Sequence, residues 1–337
     1  MKRDNRNLLI QVLSIIITVL AYGYLLYRLI TYDHYADFTQ QFLNADAKQM
    51  AALAVAVLLF PFNILAEALK WRYLLRGVYP MKIREALRQV YAGTAGAFIT
   101  PARLGEYPTR VTLFKADAPH CGTAKEESTV SGYTNKATSS DTRGLYASAV
   151  ALGFVGSFAL SSLQVIVGVP AAMRIMSVGQ QVWLMSLLIL IVYLLTPCIC
   201  RALSMHDMPN HKTYPRLARC LSAIADISIG QLLLTLLLSA LRYTIYCTQL
   251  ALVLYFCGIT ATIPDLMVAI AAYYMLVTVT PSVPVADIGI RGSWAMVIFS
   301  NFTQNTPAIL TATLLLWIIN SVIPMLIGSL LLTKHRN

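Results

Sequence analysis

The sequence predicts an all-α fold: a polytopic helical membrane protein with about six full spans and two re-entrant broken helices in an inverted repeat. Three observations lead there. Of 337 residues, 57% are hydrophobic and 12% charged, and the mean hydropathy is +0.64, more apolar matter than a soluble core needs. Six stretches reach the roughly 20 apolar residues that a bilayer crossing takes. Two shorter apolar segments end alike, each in Thr-Pro with a glycine, an acid and an arginine close behind.

In chain order, residues 8–30 form the first span. It ends in Tyr27, Arg28 and Tyr32 rather than in a small-residue cleavage site, so a retained helix is expected, with Arg28 reaching the outer interface. Residues 49–69 form the second span, and Glu67 near its inner end pairs with Lys70 or Arg72 and does nothing more. The first short segment, residues 83–100, opens with Arg84, Glu85 and Arg88, a start that also suits a helix lying flat on the cytoplasmic surface. Residues 115–144, rich in Ser, Thr and Gly, read as a cytoplasmic loop. Spans at 145–169, 182–200 and 229–257 follow, then the second short segment at 263–280 and the last span at 308–332. The whole reads as one membrane domain, with a first repeat at 49–114 and a second at 229–303.

The net charge of +11 is explained by sidedness. With Lys2, Arg3 and Arg6 cytoplasmic, 19 of the 26 Lys and Arg residues fall inside. Only Lys48 and Arg174 lie in outside loops, and the loop at 31–48 carries Asp33, Asp37 and Asp46. This is the positive-inside pattern, and it places both termini in the cytoplasm of what reads as a bacterial inner membrane. Basic faces near residues 72–88 and 216–219 attract anionic lipid headgroups, and no nucleic-acid partner is needed. The six cysteines show no metal spacing, and neither a metal nor a cofactor is expected.

The two short segments match in detail. The first leads into Thr100, Pro101, Gly105, Glu106 and Arg110, the second into Thr280, Pro281, Asp287, Gly289 and Arg291. Upstream, Ala68-Leu69-Lys70 and Ala240-Leu241-Arg242 extend the parallel. The charge assignment makes the copies enter from opposite faces, the inverted arrangement that transporters use to build a midplane site from broken helices. Proline and glycine break a helix at depth only where the backbone lines a polar cavity. Arg103, Glu106, Arg110, Asp287 and Arg291 are therefore expected to face that cavity, each ionisable group costing about 2.5 to 3.5 kcal/mol if turned to lipid. Their charge sums to +1, and Arg242 would add another. A guanidinium fork suits a phosphate. The plainer readings are a structural ion pair between Glu106 and Arg103 or Arg110, and a packing role for Arg242. Tyr273 and Tyr274 lie where they could border the cavity.

Thr-Pro-x-x-Leu-Gly-Glu followed by Arg at 100–110, with a later Thr-Pro and Gly-Ile-Arg at 280–291, resembles the lysylphosphatidylglycerol synthetase transmembrane family, the flippase-like domain. The resemblance covers nearly the whole chain. It implies the membrane half alone, without the cytosolic aminoacyl-tRNA-dependent transferase of two-part members. Gly292 stands where the family's second motif usually carries an acid, and Asp287 sits upstream.

The expected function is a non-enzymatic flippase or transporter for a lipid with an anionic headgroup: a phospholipid, an aminoacyl-phospholipid or a polyprenyl-phosphate-linked lipid. Two alternatives stand beside it. One is a scaffold for a cytosolic lipid-modifying enzyme. The other is an intramembrane lipid-phosphate enzyme, disfavoured because all five histidines fall in loops or at termini. Membrane lipids are the expected partners, and a second copy of the chain or a lipid-modifying enzyme the protein partners such a domain admits.

Overall fold

The computed structural model describes residue 27 and residues 45–100, 103–114, 139–176, 183–205, 215–280 and 286–336, and every regular element among them is helical. The first predicted span (Tyr27 aside), Pro101, Pro281 and most of the polar loop lie outside the described residues. The helices are α1 (Ala47–Leu74), α2 (Ile83–Ile99), α3 (Glu106–Val111), α4 (Ser139–Met176), α5 (Trp183–Met205) and α6 (Pro215–Ala225). After them come α7 (Ile229–Phe256), α8 (Ile263–Val279), α9 (Asp287–Phe299), α10 (Thr306–Trp317) and α11 (Ile323–Arg336). A π-helical turn, Ile318–Val322, joins the last two.

Four helical runs are long and apolar enough to cross a membrane: Ala47–Leu74, Gly144–Ile175, Ile229–Phe256 and Thr306–Thr333. α5 holds a shorter apolar stretch, Leu187–Ala202. Leu58 and Phe62 on α1 and Leu233, Leu237 and Leu241 on α7 are exposed. Such apolar faces suit lipid.

Local sequence sets matching boundaries in the two halves. α1 opens on a capping box, in which the Asp46 carboxylate accepts from the Lys48 N–H and the Asp46 N–H donates to Gln49 Oε1 at 2.8 Å. α7 opens on another, between Ser228 and Gln231. Both helices run 28 residues, about 42 Å at 1.5 Å per residue. α2 and α8 run 17 residues each, about 25 Å, short of the roughly 30 Å hydrocarbon core. Each carries an acid in its first turn, Glu85 or Asp265, where the helix dipole favours it.

The halves interlock. Gln249 donates to the Ala56 carbonyl at 2.9 Å and Arg242 to Asn63 at 2.8 Å, so α7 descends as α1 ascends and the pair is antiparallel. α8 lies antiparallel on α4, where Gly168 admits Met275 and Ala271: a Cβ on it would come within 2.2 Å of Met275 Cβ. α2 lies antiparallel on α11, where a Cβ on Gly328 would come within 1.8 Å of the Tyr91 carbonyl oxygen. α2 thus packs on the helix at the end of the chain and α8 on the long helix after the first break, the exchange a two-fold relation would generate. Small residues are what lets membrane helices approach so closely.

The helix at 83–99 is no surface helix: Ala86, Gln89, Val90, Ala92 and Ala95 are buried. Three other features differ from the sequence reading. Lys70, assigned to a cytoplasmic loop, is a buried residue of α1. α4 begins at Ser139, inside the predicted loop. α6, read only as a basic loop, is an amphipathic helix packed on α4 and α5. The Ala-Leu-Lys and Ala-Leu-Arg triplets also occupy different registers, Lys70 near the end of α1 and Arg242 in the middle of α7.

Candidate functional site

Both helix breaks begin at the threonine that precedes proline. Thr100 (φ −105°, ψ 143°) and Thr280 (φ −83°, ψ 116°) are extended, as proline's ring requires of the residue before it. Each hydroxyl donates to a carbonyl four residues back, Gly96 at 2.8 Å and Leu276 at 2.7 Å. Each also accepts from beyond the break. Gly105 N–H reaches Thr100 at 2.7 Å, and the Trp294 indole N–H reaches Thr280 at 2.9 Å.

Gly105 then caps α3, and it must be glycine because a Cβ there would sit 2.7 Å from the Gly96 carbonyl oxygen. Gly96 has the reciprocal role, since its Cβ would meet Thr109 Oγ1 at 2.0 Å. α3 can therefore fold back on α2. Gly289 does not shape the second break as predicted: it is a buried residue inside α9, which has already restarted at Asp287. Between Thr100 and Gly105, Arg103 holds a positive φ of 58°, a left-handed conformation costing roughly 1–2 kcal/mol for a residue with a Cβ.

Each restarted helix opens with an acid bonded to an arginine one turn on. In α3, Arg110 Nη2 donates to Glu106 Oε1 at 2.5 Å; in α9, Arg291 Nε donates to Asp287 Oδ2 at 2.9 Å. Their surroundings differ. The Arg110 side chain is 0% exposed and its guanidinium lies against the Trp71 and Tyr107 rings, 5.1 and 4.8 Å from their centroids. Its Nε and Nη1 have no hydrogen-bond partner among the described residues. Arg291 and Asp287 are about a quarter exposed, and Asp287 also accepts from the Trp317 indole at 3.1 Å.

Glu67 is the hub of the first pair. Its carboxylate takes Lys70 Nζ at 2.7 Å, Arg110 Nη2 at 2.8 Å and Arg242 Nη1, so α1, α3 and α7 meet on one buried acid. Lys70 also reaches the Gly156 carbonyl of α4 at 3.2 Å. From Arg242 a polar chain continues through Asn63 to Asn320 in the π turn, and from Asn320 to Gln249. A π turn displaces side chains from the regular helical register and is common at functional sites.

Above this network lies a cavity of about 390 Å³. Arg103 and Glu106 reach it from the first break, Thr280, Asp287 and Arg291 from the second, and Arg242 from α7. Tyr273 and Tyr274 border it, as the sequence suggested. Lys70, Arg103, Arg110, Arg242 and Arg291 face Glu67, Glu106 and Asp287, a formal excess of two positive charges.

Of the six ionisable residues singled out from sequence, five line the cavity. Arg110 does not; it is sealed behind the wall between two carboxylates. Arg242 takes both roles left open for it, lining the cavity while bonding Glu67 and Asn63. Glu67, read as a local partner of Lys70 or Arg72, and Lys70, read as a loop residue, were missed as site residues. The available signal was an acid one helical turn from a lysine inside an apolar run.

No curated protein matches the chain. Residues 11–328 match the family model described as the lysylphosphatidylglycerol synthase TM region. That match spans nearly the whole sequence, and the chain is an integral membrane protein belonging to this family.

Proposed function

We propose that the protein is a lipid flippase that moves an amphiphile with an anionic headgroup between leaflets, in a bacterial cytoplasmic membrane with both termini cytoplasmic. The cavity carries this reading. A chamber of about 390 Å³ whose wall mixes apolar side chains with an excess of positive charge, set among helices whose outer faces are apolar, suits a charged headgroup whose tails stay in lipid. Arg103, Arg242 and Arg291 would hold the phosphate, each guanidinium keeping N–H groups beyond those bonded to Glu106, Glu67 or Asp287. Arg110 would instead hold the first break rigid. The protein performs no covalent chemistry in this reading.

The test is translocation in reconstituted vesicles. Tail-labelled phosphatidylglycerol in both leaflets is exposed to an impermeant quencher, and rapid loss of more than half of the signal is expected with protein present. Loss of only the outer-leaflet half, with every anionic lipid tried, would put the scaffold reading ahead.

A further inference from the structure

The charged side of the cavity accounts for a phosphate and little else. A phosphate fills only a fraction of about 390 Å³, given that a single water takes roughly 30 Å³. The remaining wall is neutral and mixed, with Phe154, Leu160, Val277 and Leu316 interspersed among amide, hydroxyl and aromatic side chains. Gln164 on α4 is 9% exposed; its Oε1 accepts from Thr278 at 2.8 Å, and its amide NH₂ has no partner among the described residues. Ser161 and Ser321 also line the cavity with hydroxyls that have none. Tyr246, Tyr273 and Tyr274 add aromatic faces. Amide and hydroxyl groups beside aromatic rings fit the alternating C–H and O–H surface of a sugar or polyol.

The carboxylates argue against an ammonium group. Glu67 already meets three cations, Glu106 lies between Arg103 and Arg110, and Asp287 meets Arg291 and Trp317. A cationic headgroup would find no free acid among the described lining residues, and would sit among arginines that repel it.

Building on the reading of the cavity as a headgroup site, we infer that its ligand is a lipid phosphate bearing a neutral, polyhydroxylated headgroup, such as glycerol, inositol or a hexose, and not an aminoacylated one. The cations bind the phosphate, and Gln164, Ser161 and Ser321 bind the hydroxyls. Glycerophospholipids and prenyl phosphates share this chemistry.

The purified full chain is titrated in detergent with phosphatidic acid, phosphatidylglycerol, phosphatidylinositol, lysylphosphatidylglycerol and a short prenyl-phosphate hexose, with affinity read from the shift in thermal unfolding. At least one polyol lipid binds at least tenfold more tightly than lysylphosphatidylglycerol, and comparison of the inositol and hexose arms identifies the source. In Gln164→Leu, or in Ser321→Ala if the first does not fold, the affinity ratio of the preferred polyol lipid to phosphatidic acid falls at least threefold. Equal affinity for the lysylated lipid, or an unchanged ratio in a folded variant, overturns the inference. The predicted ranking without movement of any of these lipids in vesicles defeats the flippase reading and leaves the headgroup class standing.

Discussion

The two broken helices use one device in two environments. Each has a 17-residue helix, a threonine in extended conformation at its end, and a second helix opening with an acid bonded to an arginine one turn on. In the first, α1 supplies Glu67 and the ion pair is buried; in the second no carboxylate among the described residues comes from outside and the pair stays open to the cavity. The Glu106–Arg110 pair of the first joint is thus a fixed support, while Arg103 beside it and the Asp287–Arg291 pair of the second joint stay accessible from the cavity. Burial is what separates them, because the same ion pair is structural where nothing can exchange with it and available where a ligand can.

The largest effect should come from removing the fixed side's hub. Glu67→Gln leaves Lys70, Arg110 and Arg242 facing one another without their shared anion. We predict a loss of about 3–5 kcal/mol, the usual cost of stranding a buried charge. Asp287→Asn should cost less than about 1 kcal/mol, since Arg291 keeps its exposure. Denaturant unfolding in detergent reads both, and similar losses would erase the distinction between the joints.

Next is the close contact that the first joint requires. Gly96→Ala forces a Cβ against Thr109 and the Gly105 carbonyl, where α3 folds back on α2, and about 1–3 kcal/mol of overpacking strain is expected. Gly77→Ala, with nothing within 4 Å, is the matched control and should be nearly neutral. Equal behaviour would mean that α3 is not held against α2.

The arginines should separate stability from transport. Arg110→Lys gives up the ring contacts and weakens the bridge between Glu67 and Glu106. Its unfolding midpoint should fall while translocation per folded molecule holds. Arg291→Lys should do the reverse, keeping stability within about 1 kcal/mol and slowing translocation several-fold, because lysine keeps the charge and loses the fork. Slowed transport in Arg110→Lys at full stability would give Arg110 itself a binding role.

Much of this architecture was legible in the sequence because helix breaks at depth need particular residues. Thr-Pro restricts backbone locally, and an acid with an arginine four residues on shares a helix face, so Thr100, Thr280, Glu106–Arg110 and Asp287–Arg291 could be read without coordinates. Helix starts were legible too: Asp46 with Gln49 and Ser228 with Gln231 lie about 180 residues apart, like the two breaks, and would have corrected the register suggested by Lys70 and Arg242. What sequence could not supply is the distance between elements remote in the chain. That Glu67 meets Arg242 depends on α1 and α7 crossing, and that Arg110 is sealed depends on Trp71 and Tyr107 closing over it. Gly289 was misassigned because a glycine after a proline does not by itself mark the break; in α9 it lies within the restarted helix.

The smallest effect compares the two threonines themselves. Thr100 accepts from a backbone N–H, that of Gly105, which has no other partner among the described residues if the hydroxyl is removed. Thr280 accepts from the Trp294 indole at the border of the cavity, where water can replace it. Valine keeps the branched shape and the extended backbone at both sites, so only the hydroxyl is lost. Thr100→Val should therefore cost about 1–3 kcal/mol, the penalty for an unpaired donor, and Thr280→Val about 0.5–1.5 kcal/mol, the net worth of one exchanged hydrogen bond. The two variants unfold under the same conditions in one detergent, so the order is more telling than either value. A larger loss at Thr280 would mean that the second joint, not the first, is the rigid one, and would reverse the roles assigned to the two halves.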